Sequence, residues 1–319
     1  MMKRFLTLLF VLVHGSLVMA QEKPDQEWYL QREDLDIFVK ETGAGTDTVI
    51  VIHGGFGANH DYMLDAIRPL KDRYRFILYD QRGSLLSPTK AENLTFPKNV
   101  GDLLALADAL KLKRVKLFCH SMGTLVGMEF ARQHPERVSH LVLAGSLLPK
   151  SDSLKSIFSA RHDEQVHFLS TRKAVSALLQ PFKEKGVDSL RSIADIDRFG
   201  FSHKELSDYW RIQFAAVNVY DMRKFPLVKG GRAYYKPAAS VMVESVNWNY
   251  DYRKRLNNGI KTTFINGNYD FFDFDGRVLE EQLKTYPNVQ VAMIPDAGHN
   301  SWIDQPERFA DDLHKALSR

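Results

Sequence analysis

The hydrophobic pattern divides the chain into two kinds of segment. Short apolar runs rich in β-branched residues recur along it, at 48–53, 75–80, 115–119, 141–145, 262–266 and 289–294. A continuous run of this kind is typical of a strand that is buried on both faces of a parallel sheet. Segments with helical spacing lie between the early runs and after the last one, at 62–70, 100–110, 124–133 and 306–317. Strand and helix in alternation predict an α/β fold with a parallel sheet and right-handed crossovers.

The alternation stops between residues 146 and 262, where the chain reads as amphipathic helices and loops rich in aromatic residues. A plain crossover between parallel strands needs only about a dozen residues. We therefore expect an insertion that covers the sheet as a lid, because long loops without structure are uncommon. Extra helices packed on one side of the sheet are the alternative. The aromatic side chains would line an apolar pocket or form the insertion's own core: Phe199, Phe201, Tyr209, Trp210, Phe214, Tyr234 and Tyr235.

The first twenty residues have the pattern of an export signal. Lys3 and Arg4 precede a short apolar run that ends at the small residue Ala20. The run is shorter than the roughly 20 residues that span a bilayer. This pattern predicts a signal peptide at 1–20, cleaved after Ala20, and a protein located in the periplasm or outside the cell with no stable membrane span. An uncleaved anchor helix is the alternative.

Composition excludes several classes of protein. The 319 residues are 44% hydrophobic and 26% charged, as in ordinary globular proteins, and one cysteine cannot form an internal disulfide. The formal net charge of +4 includes Lys3 and Arg4 of the predicted signal, and the small remainder predicts no nucleic-acid partner. No metal and no cofactor is expected, because the chain has no His-Glu-x-x-His, no cysteine pair and no Walker-type phosphate loop.

Candidate chemistry begins at Cys119-His120-Ser121-Met122-Gly123, between a predicted strand and a predicted helix. A serine in this context is typical of a nucleophile elbow, a strained turn that presents the hydroxyl group. The residues two positions away must be small, and Gly123 and the compact Cys119 meet that need. His120 is adjacent to Ser121, so its side chain points away, and we expect a packed core histidine there.

Two later strand ends supply the base and the acid that a serine nucleophile needs. Asp270 follows the predicted strand at 262–266, and His299 follows the one at 289–294. His299 would accept the proton of Ser121 and later return it, while Asp270 would orient the ring and stabilise the imidazolium. Three other acids could take the place of Asp270, although they lie further from strand ends: Asp273, Asp275 and Asp296.

Two backbone N–H groups are needed to hold an oxyanion. Met122 supplies one at the elbow, and Gly55 in the turn 53–57 supplies the other, because glycines let the backbone approach a substrate closely. A tight turn with no ligand is the alternative reading of the glycines. We expect Arg82, which follows the strand at 75–80, to pair with acids and to be structural.

In chain order, five motifs resemble the α/β-hydrolase superfamily: His53-Gly54-Gly55-Phe56-Gly57, Asp80-Gln81-Arg82-Gly83-Ser84, His120-Ser121-Met122-Gly123, Asn266-Gly267-Asn268-Tyr269-Asp270 and Ala297-Gly298-His299. The first two resemble the prolyl iminopeptidase branch, serine peptidases that remove an N-terminal residue, often proline. The resemblance implies a hydrolase core at 21–147 and 256–319, and a helical cap at 148–255 between the sixth and seventh core strands. It also implies the roles given above for the triad and the oxyanion donors: Ser121, Asp270, His299, Gly55 and Met122.

The chain departs from the iminopeptidase pattern at several positions. Phe56 stands where that branch has proline, and Leu85 and Leu86 replace a glycine and a basic residue. Iminopeptidases bind the free amine of the substrate through acids of the cap, often beside a tryptophan, but Trp210 precedes an arginine here. Glu244 is the remaining candidate for the amine, with a solvated surface glutamate as the alternative. The elbow itself resembles those of esterases and C–C bond hydrolases.

These observations predict an exported, cofactor-independent serine hydrolase, and the branch resemblance implies an aminopeptidase of the prolyl iminopeptidase type. Its partner would be a small-molecule or short-peptide substrate. A carboxylesterase or C–C bond hydrolase of the same fold is the alternative within enzymes, since neither needs a free amine. A binding protein that keeps the triad but holds its ligand without turnover is the alternative from another class.

Overall fold

The computed structural model of the protein describes residues 24–187, 199–229 and 233–319. The predicted signal peptide at 1–20 lies outside these ranges. Within them, eight strands form one sheet in the spatial order β1-β2-β4-β3-β5-β6-β7-β8. The strands are β1 (Gln26–Gln31), β2 (Asp36–Thr42), β3 (Asp47–Ile52), β4 (Tyr74–Tyr79), β5 (Val115–His120), β6 (Val138–Ala144), β7 (Lys261–Gly267) and β8 (Gln290–Ile294).

Helices cover both faces of this sheet. They are α1 (Met63–Ile67), α2 (Phe96–Ala109), α3 (Met122–Gln133), α4 (His162–Ser170), α5 (Lys173–Leu178), α6 (His203–Asn218), α7 (Lys236–Glu244), α8 (Arg253–Leu256), α9 (Arg277–Leu283), α10 (Ser301–Asp304) and α11 (Pro306–Ser318). Among the described residues, no helix combines the length and apolar composition needed to cross a membrane.

Burial on both faces explains the continuous apolar runs. Along β3, Ile50 and Ile52 belong to a core cluster on one side of the sheet, whereas Val49 and Val51 belong to the cluster on the other side. Successive side chains of a strand point to opposite faces, so a strand covered twice must be apolar at every position. The strands from β3 to β8 pair in parallel, which confirms the predicted α/β fold with a mostly parallel sheet.

Two strands were missed by the hydrophobic pattern. β1 pairs antiparallel with β2, and β2 pairs antiparallel with β4, so both extend the sheet at one edge. β1 alternates between exposed and half-buried residues. A partly exposed strand lacks the continuous apolar run that identifies the central ones. The predicted helix at 62–70 is also shorter than expected, since α1 gives way to a 3₁₀ turn at Arg68–Leu70 that contains a proline.

The insertion lies between β6 and β7, the sixth and seventh strands of the sheet, and it contains α4 to α8. β6 and β7 are parallel neighbours, so the chain leaves the sheet beyond Ala144 and re-enters it at the opposite edge, where Lys261 pairs with His140. Lys150–Ser151 and Tyr250–Asp251 form a short antiparallel pair close to both ends of the insertion. The cap boundaries at 148 and 255 stay a prediction.

The aromatic residues of the insertion divide into two groups. Phe201 and Tyr209 pack with Phe182 in the interior of the insertion, at ring-centroid distances of 5.2 and 5.6 Å from that phenylalanine. Trp210 instead stacks on the exposed Tyr234, at 5.1 Å. Phe201 and Tyr209 thus belong to the insertion's own core, and the lining of an apolar pocket by the other aromatic residues stays a prediction.

Candidate functional site

Ser121 occupies the sharp turn between β5 and α3. Its backbone has φ of +52° and ψ of −129°, a region that residues with side chains rarely adopt. The end of the neighbouring strand β3 lies very close to this turn, because a Cβ atom on Gly123 would be 2.5 Å from the carbonyl oxygen of His53. Only glycine fits at that position. The local geometry is therefore that of the predicted elbow, with the serine half-exposed at the end of a buried strand.

Cys119 fits at the start of the elbow because α3 leaves room for it. A Cβ atom on Gly127 would lie 2.5 Å from the Cys119 sulfur. The thiol thus fills the space that a side chain on the helix would otherwise take. Burial raises the pKa of Cys119, so the thiol stays protonated and inert.

Asp270 and His299 are in direct contact. Nδ1 of His299 lies 2.9 Å from Oδ2 of Asp270, and both side chains are buried. The other carboxylate oxygen of Asp270 accepts the backbone N–H of Phe272 at 2.9 Å. A carboxylate facing Nδ1 requires the proton on that nitrogen in the neutral ring, which leaves the lone pair of Nε2 available as a base.

The end of β6 contacts both Ser121 and His299. The N–H of Ser121 donates to the carbonyl of Ala144 at 3.1 Å. The next residue packs on the imidazole, since a Cβ atom on Gly145 would be 2.8 Å from Nδ1 of His299. Among the described residues, Nε2 of His299 is buried and has no hydrogen-bond partner, so the Ser121 hydroxyl is not bonded to it in this structure. Such bonds are often long without substrate and tighten in the complex.

The glycine turn contacts the nucleophile directly. A Cβ atom on Gly54 would lie 2.4 Å from Cβ of Ser121. Gly55 has φ of +65°, and its carbonyl accepts the N–H of Ala58 at 2.8 Å, which closes a tight turn. Met122 is the first residue of α3, and the first N–H groups of a helix lack intrahelical acceptors. The glycine turn and the first residue of α3 thus both adjoin Ser121, and the roles of Gly55 and Met122 as oxyanion donors stay a prediction.

The other acids do not contact His299. Asp273 is buried, but its Oδ2 accepts the backbone N–H of Leu279 at 2.8 Å, and burial raises its pKa. Asp275 and Asp296 are exposed. Of the four carboxylates considered from the sequence, Asp270 alone bonds to the histidine.

Glu244 lies at the surface, at the C-terminal end of α7. It lies near the start of α2, because the hydroxyl of the next residue, Ser245, accepts the N–H of Phe96 there. A glutamate that is solvated there matches the alternative reading of this residue. Its role as an amine ligand stays a prediction.

Arg82 pairs with acids, as expected. Its guanidinium is buried and donates to both oxygens of Asp102, at 2.7 and 2.8 Å, with a further bond to Asp34 at 3.2 Å. A bidentate pair of this kind locks the chain after β4 to α2. The same region borders a cavity of about 940 Å³ whose lining is mainly charged and polar and includes none of the triad residues.

Sequence reasoning missed the aromatic wall beside the histidine. The rings of Phe271 and Phe272 lie 4.4 and 5.3 Å from the His299 ring, and Phe158 of the insertion stacks on Phe272 at 5.0 Å. His162 also binds here, since its Nδ1 is 2.9 Å from the carbonyl oxygen of Phe271. Two consecutive phenylalanines directly after Asp270 were the available signal. An apolar wall of this kind excludes water from the base.

Comparisons with known proteins agree with this architecture. Residues 47–306 match the sequence profile of the alpha/beta hydrolase fold. A relative from Caulobacter sp., "Putative carbamate hydrolase RutD", is 30% identical over 116 residues, 35% of this chain and 42% of that protein, so the match spans less than half of the relative.

Two solved structures share the fold over most of the chain. A proline iminopeptidase-related protein from Thermus thermophilus superposes with a TM-score of 0.62 at 20% identity, covering 93% of this chain and 98% of the other. A thermophilic esterase from Thermogutta terrifontis superposes with a TM-score of 0.61 at 21% identity, covering 92% and 98%. At this identity the likeness concerns the fold alone, whereas the profile match covers most of the sequence. The chain belongs to the α/β-hydrolase fold family.

Proposed function

We propose that the protein is a serine hydrolase that cleaves small acyl esters or amides through an acyl-enzyme on Ser121. One observation carries the proposal: the 2.9 Å contact between Asp270 and Nδ1 of His299 leaves Nε2, which has no hydrogen-bond partner among the described residues, available as the base for the serine at the elbow. Membership of a hydrolase family and the close approach of the glycine turn to Ser121 support the same chemistry.

The reaction follows from this geometry. His299 removes the proton of Ser121 as the serine oxygen attacks the acyl carbon, and the carbonyl oxygen becomes an oxyanion between the N–H groups of Gly55 and Met122. The imidazolium, stabilised by Asp270, then gives its proton to the leaving group. Water attacks the acyl-enzyme by the same route, with His299 as base, and releases the acid and free Ser121.

Two observations favour an ester over the N-terminal peptide bond that an iminopeptidase cleaves. The side chains beside His299 are aromatic, and Glu244, the candidate for binding a free amine, is exposed. The aminopeptidase remains the second candidate, because the glycine turn and the segment after β4 resemble the prolyl iminopeptidase branch and a structural neighbour carries a related name.

A substrate panel tests the proposal and separates its two forms. We expect the protein to hydrolyse p-nitrophenyl butyrate, and a Ser121→Ala variant to lose kcat by about 10⁴-fold or more. Ser146→Ala is the matched control, because Ser146 is a buried serine near the end of the next strand whose hydroxyl donates to the Leu147 carbonyl. Equal activity of Ser121→Ala and wild type would contradict the serine mechanism.

Prolyl-naphthylamides with free and acetylated amines then distinguish the branches. Fast turnover of the free amine with none of the acetylated form would identify an aminopeptidase and overturn the ester preference. Absence of turnover on every substrate, combined with saturable binding of the same esters, would instead identify a binding protein.

We further propose that the protein is exported. The support is the charged start, the short apolar run and the small residue at Ala20. The intact mass of the protein recovered from the periplasm or the medium tests it, with a chain beginning at Gln21 as the expected result. A full-length chain retained in the membrane fraction would contradict cleavage.

A further inference from the structure

A chain of hydrogen bonds joins the glycine turn to the loop that carries His299. The N–H of Gly54 donates to the hydroxyl oxygen of Tyr62 at 2.5 Å, and that hydroxyl lies 2.8 Å from Nδ1 of His120. On its other side the imidazole of His120 lies 3.2 Å, through Nε2, from the backbone carbonyl of His299. Two side chains thus connect the two loops that flank Ser121.

The direction of each bond is determined. The backbone carbonyl of His299 can only accept, so Nε2 of His120 carries the proton and donates to it. The neutral ring then has no proton on Nδ1, which accepts the hydroxyl proton of Tyr62. All donors and acceptors between the two loops are matched.

The groups between the loops are rigidly packed and stay neutral. Tyr62 and His120 are buried, and Trp302 contacts both, at ring-centroid distances of 6.1 Å from Tyr62 and 4.8 Å from His120. Burial and the neighbouring His299 hold the pKa of His120 well below its usual range. Burial also raises the pKa of Tyr62. His120 and Tyr62 therefore both stay neutral near pH 7, as the hydrogen bonds require.

We propose that Tyr62 and His120 are positioning residues that hold the oxyanion turn and the loop of the base at a fixed separation. The inference rests on the proposed serine hydrolase function, because the separation of Gly55 and His299 matters only if one binds the oxyanion and the other acts as the base. Neither side chain touches the reacting atoms. They act through the backbone of Gly54 and of His299, whose displacement by about 1 Å can cost two orders of magnitude in rate.

The test removes one oxygen atom from this connection. Tyr62→Phe keeps the ring against Trp302 but leaves Gly54 and His120 without their shared partner. Tyr74→Phe is the matched control, because the hydroxyl of Tyr74 also bonds to a histidine, Nδ1 of His314 at 2.8 Å, between β4 and α11. Both variants lose one tyrosine–histidine hydrogen bond, and only one of them lies between the two loops.

For the hydrolysis of p-nitrophenyl butyrate we expect kcat to fall by about tenfold or more in Tyr62→Phe, with KM changed by less than about twofold. The affinity for a boronic acid inhibitor, which mimics the tetrahedral intermediate, should fall in parallel with kcat/KM. Tyr74→Phe should retain both within about twofold. Equal kinetics in the two variants would overturn the positioning role while leaving the serine mechanism intact.

Hydrogen–deuterium exchange provides a readout that needs no activity. In Tyr62→Phe we expect faster exchange both in peptides covering 53–58 and in peptides covering 297–301, because one broken connection frees both loops. In Tyr74→Phe neither region should change. Faster exchange at 53–58 alone would show that the connection does not reach His299 and would overturn the inference. Failure of Ser121→Ala to lose activity would instead contradict the proposed function.

Discussion

The carboxylate of Asp304 accepts the backbone N–H of Gly298, the residue before the proposed base, at 2.9 Å. The same carboxylate accepts two N–H groups from the insertion, those of Tyr220 and Asp221 at 2.8 and 2.9 Å. One buried side chain thus fixes the loop of His299 to the junction that follows α6. Burial raises the pKa of Asp304, and the three N–H bonds oppose that rise. The insertion is therefore part of the support of the site.

Loss of this carboxylate should destabilise the whole protein. Asp304→Ala leaves one buried and two partly buried N–H groups without this acceptor, and a buried group costs about 1–3 kcal/mol, so we expect the free energy of unfolding to fall by about 2 kcal/mol or more. Urea unfolding measures the change. The control is Asp312→Ala, which removes a surface pair with Arg308 and should cost less than about 1 kcal/mol. Equal losses in the two variants would contradict the role given to Asp304.

The identity of the acid can be tested against its nearest competitor. Asp270→Asn should lower kcat by about 10⁴-fold, because an amide beside Nδ1 favours the wrong tautomer of His299. Asp273→Asn removes a buried carboxylate three residues away that binds the N–H of Leu279. That variant should keep kcat within about tenfold for the folded fraction. The reverse order of the two effects on ester hydrolysis would assign the acid to Asp273.

Two buried histidines should make the fold sensitive to mild acid. Burial lowers the pKa of His53, although the Asp80 carboxylate opposes it, and burial lowers the pKa of His120 more strongly. A histidine with a lowered pKa binds fewer protons in the folded state than in the unfolded state. Its contribution to stability is present above the unfolded value of about 6.5 and is lost as the pH falls below it.

The slope of the free energy of unfolding against pH measures this effect. Each such histidine should lower the free energy of unfolding by up to about 1.4 kcal/mol per pH unit below about pH 6.5. Because carboxylates also titrate in acid, the variant difference is the test. In urea unfolding at pH 7.5, 6.5 and 5.5, His120→Gln should show a smaller decrease than wild type. Parallel pH profiles of the two proteins would contradict a buried, neutral His120.

The buried ion pair of Arg82 and Asp102 should contribute to the stability of the fold, and this can be tested without an activity assay. Asp102→Leu removes the bidentate carboxylate from the buried guanidinium of Arg82 and leaves it the bond to Asp34 at 3.2 Å, so we expect the free energy of unfolding to fall by about 3 kcal/mol. Arg82→Met combined with Asp102→Leu removes both charges and should recover most of that loss. Unfolding in urea measures both variants. A double variant as unstable as Asp102→Leu alone would show that the cost comes from packing and not from an unpaired charge.

The order of the elements could be predicted because each leaves a local signature. Ser121, Asp270 and His299 each follow an apolar run, and in the structure each of them follows the carboxyl end of a strand in the parallel part of the sheet. The departures have physical reasons. β1 was missed because four of its six residues are exposed, and Glu244 was considered because sequence does not show which face of α7 is solvated.

The supports of the site could not be predicted in the same way. The bonds of Tyr62 to Gly54 and His120 depend on the direction of side chains that are distant along the chain. The three bonds of Asp304 depend on where the insertion returns to the core. Neither residue type nor spacing carries that information, because only the packed fold decides which buried groups meet.

The central claim is that His299 makes Ser121 nucleophilic. Incubation with a fluorophosphonate, followed by mass spectrometry of the digested protein, tests it directly. The account predicts one phosphonyl adduct, on the peptide that contains Ser121, with a labelling rate at least about 100-fold lower in His299→Gln. An adduct on another residue, or equal labelling rates in wild type and His299→Gln, would contradict the claim.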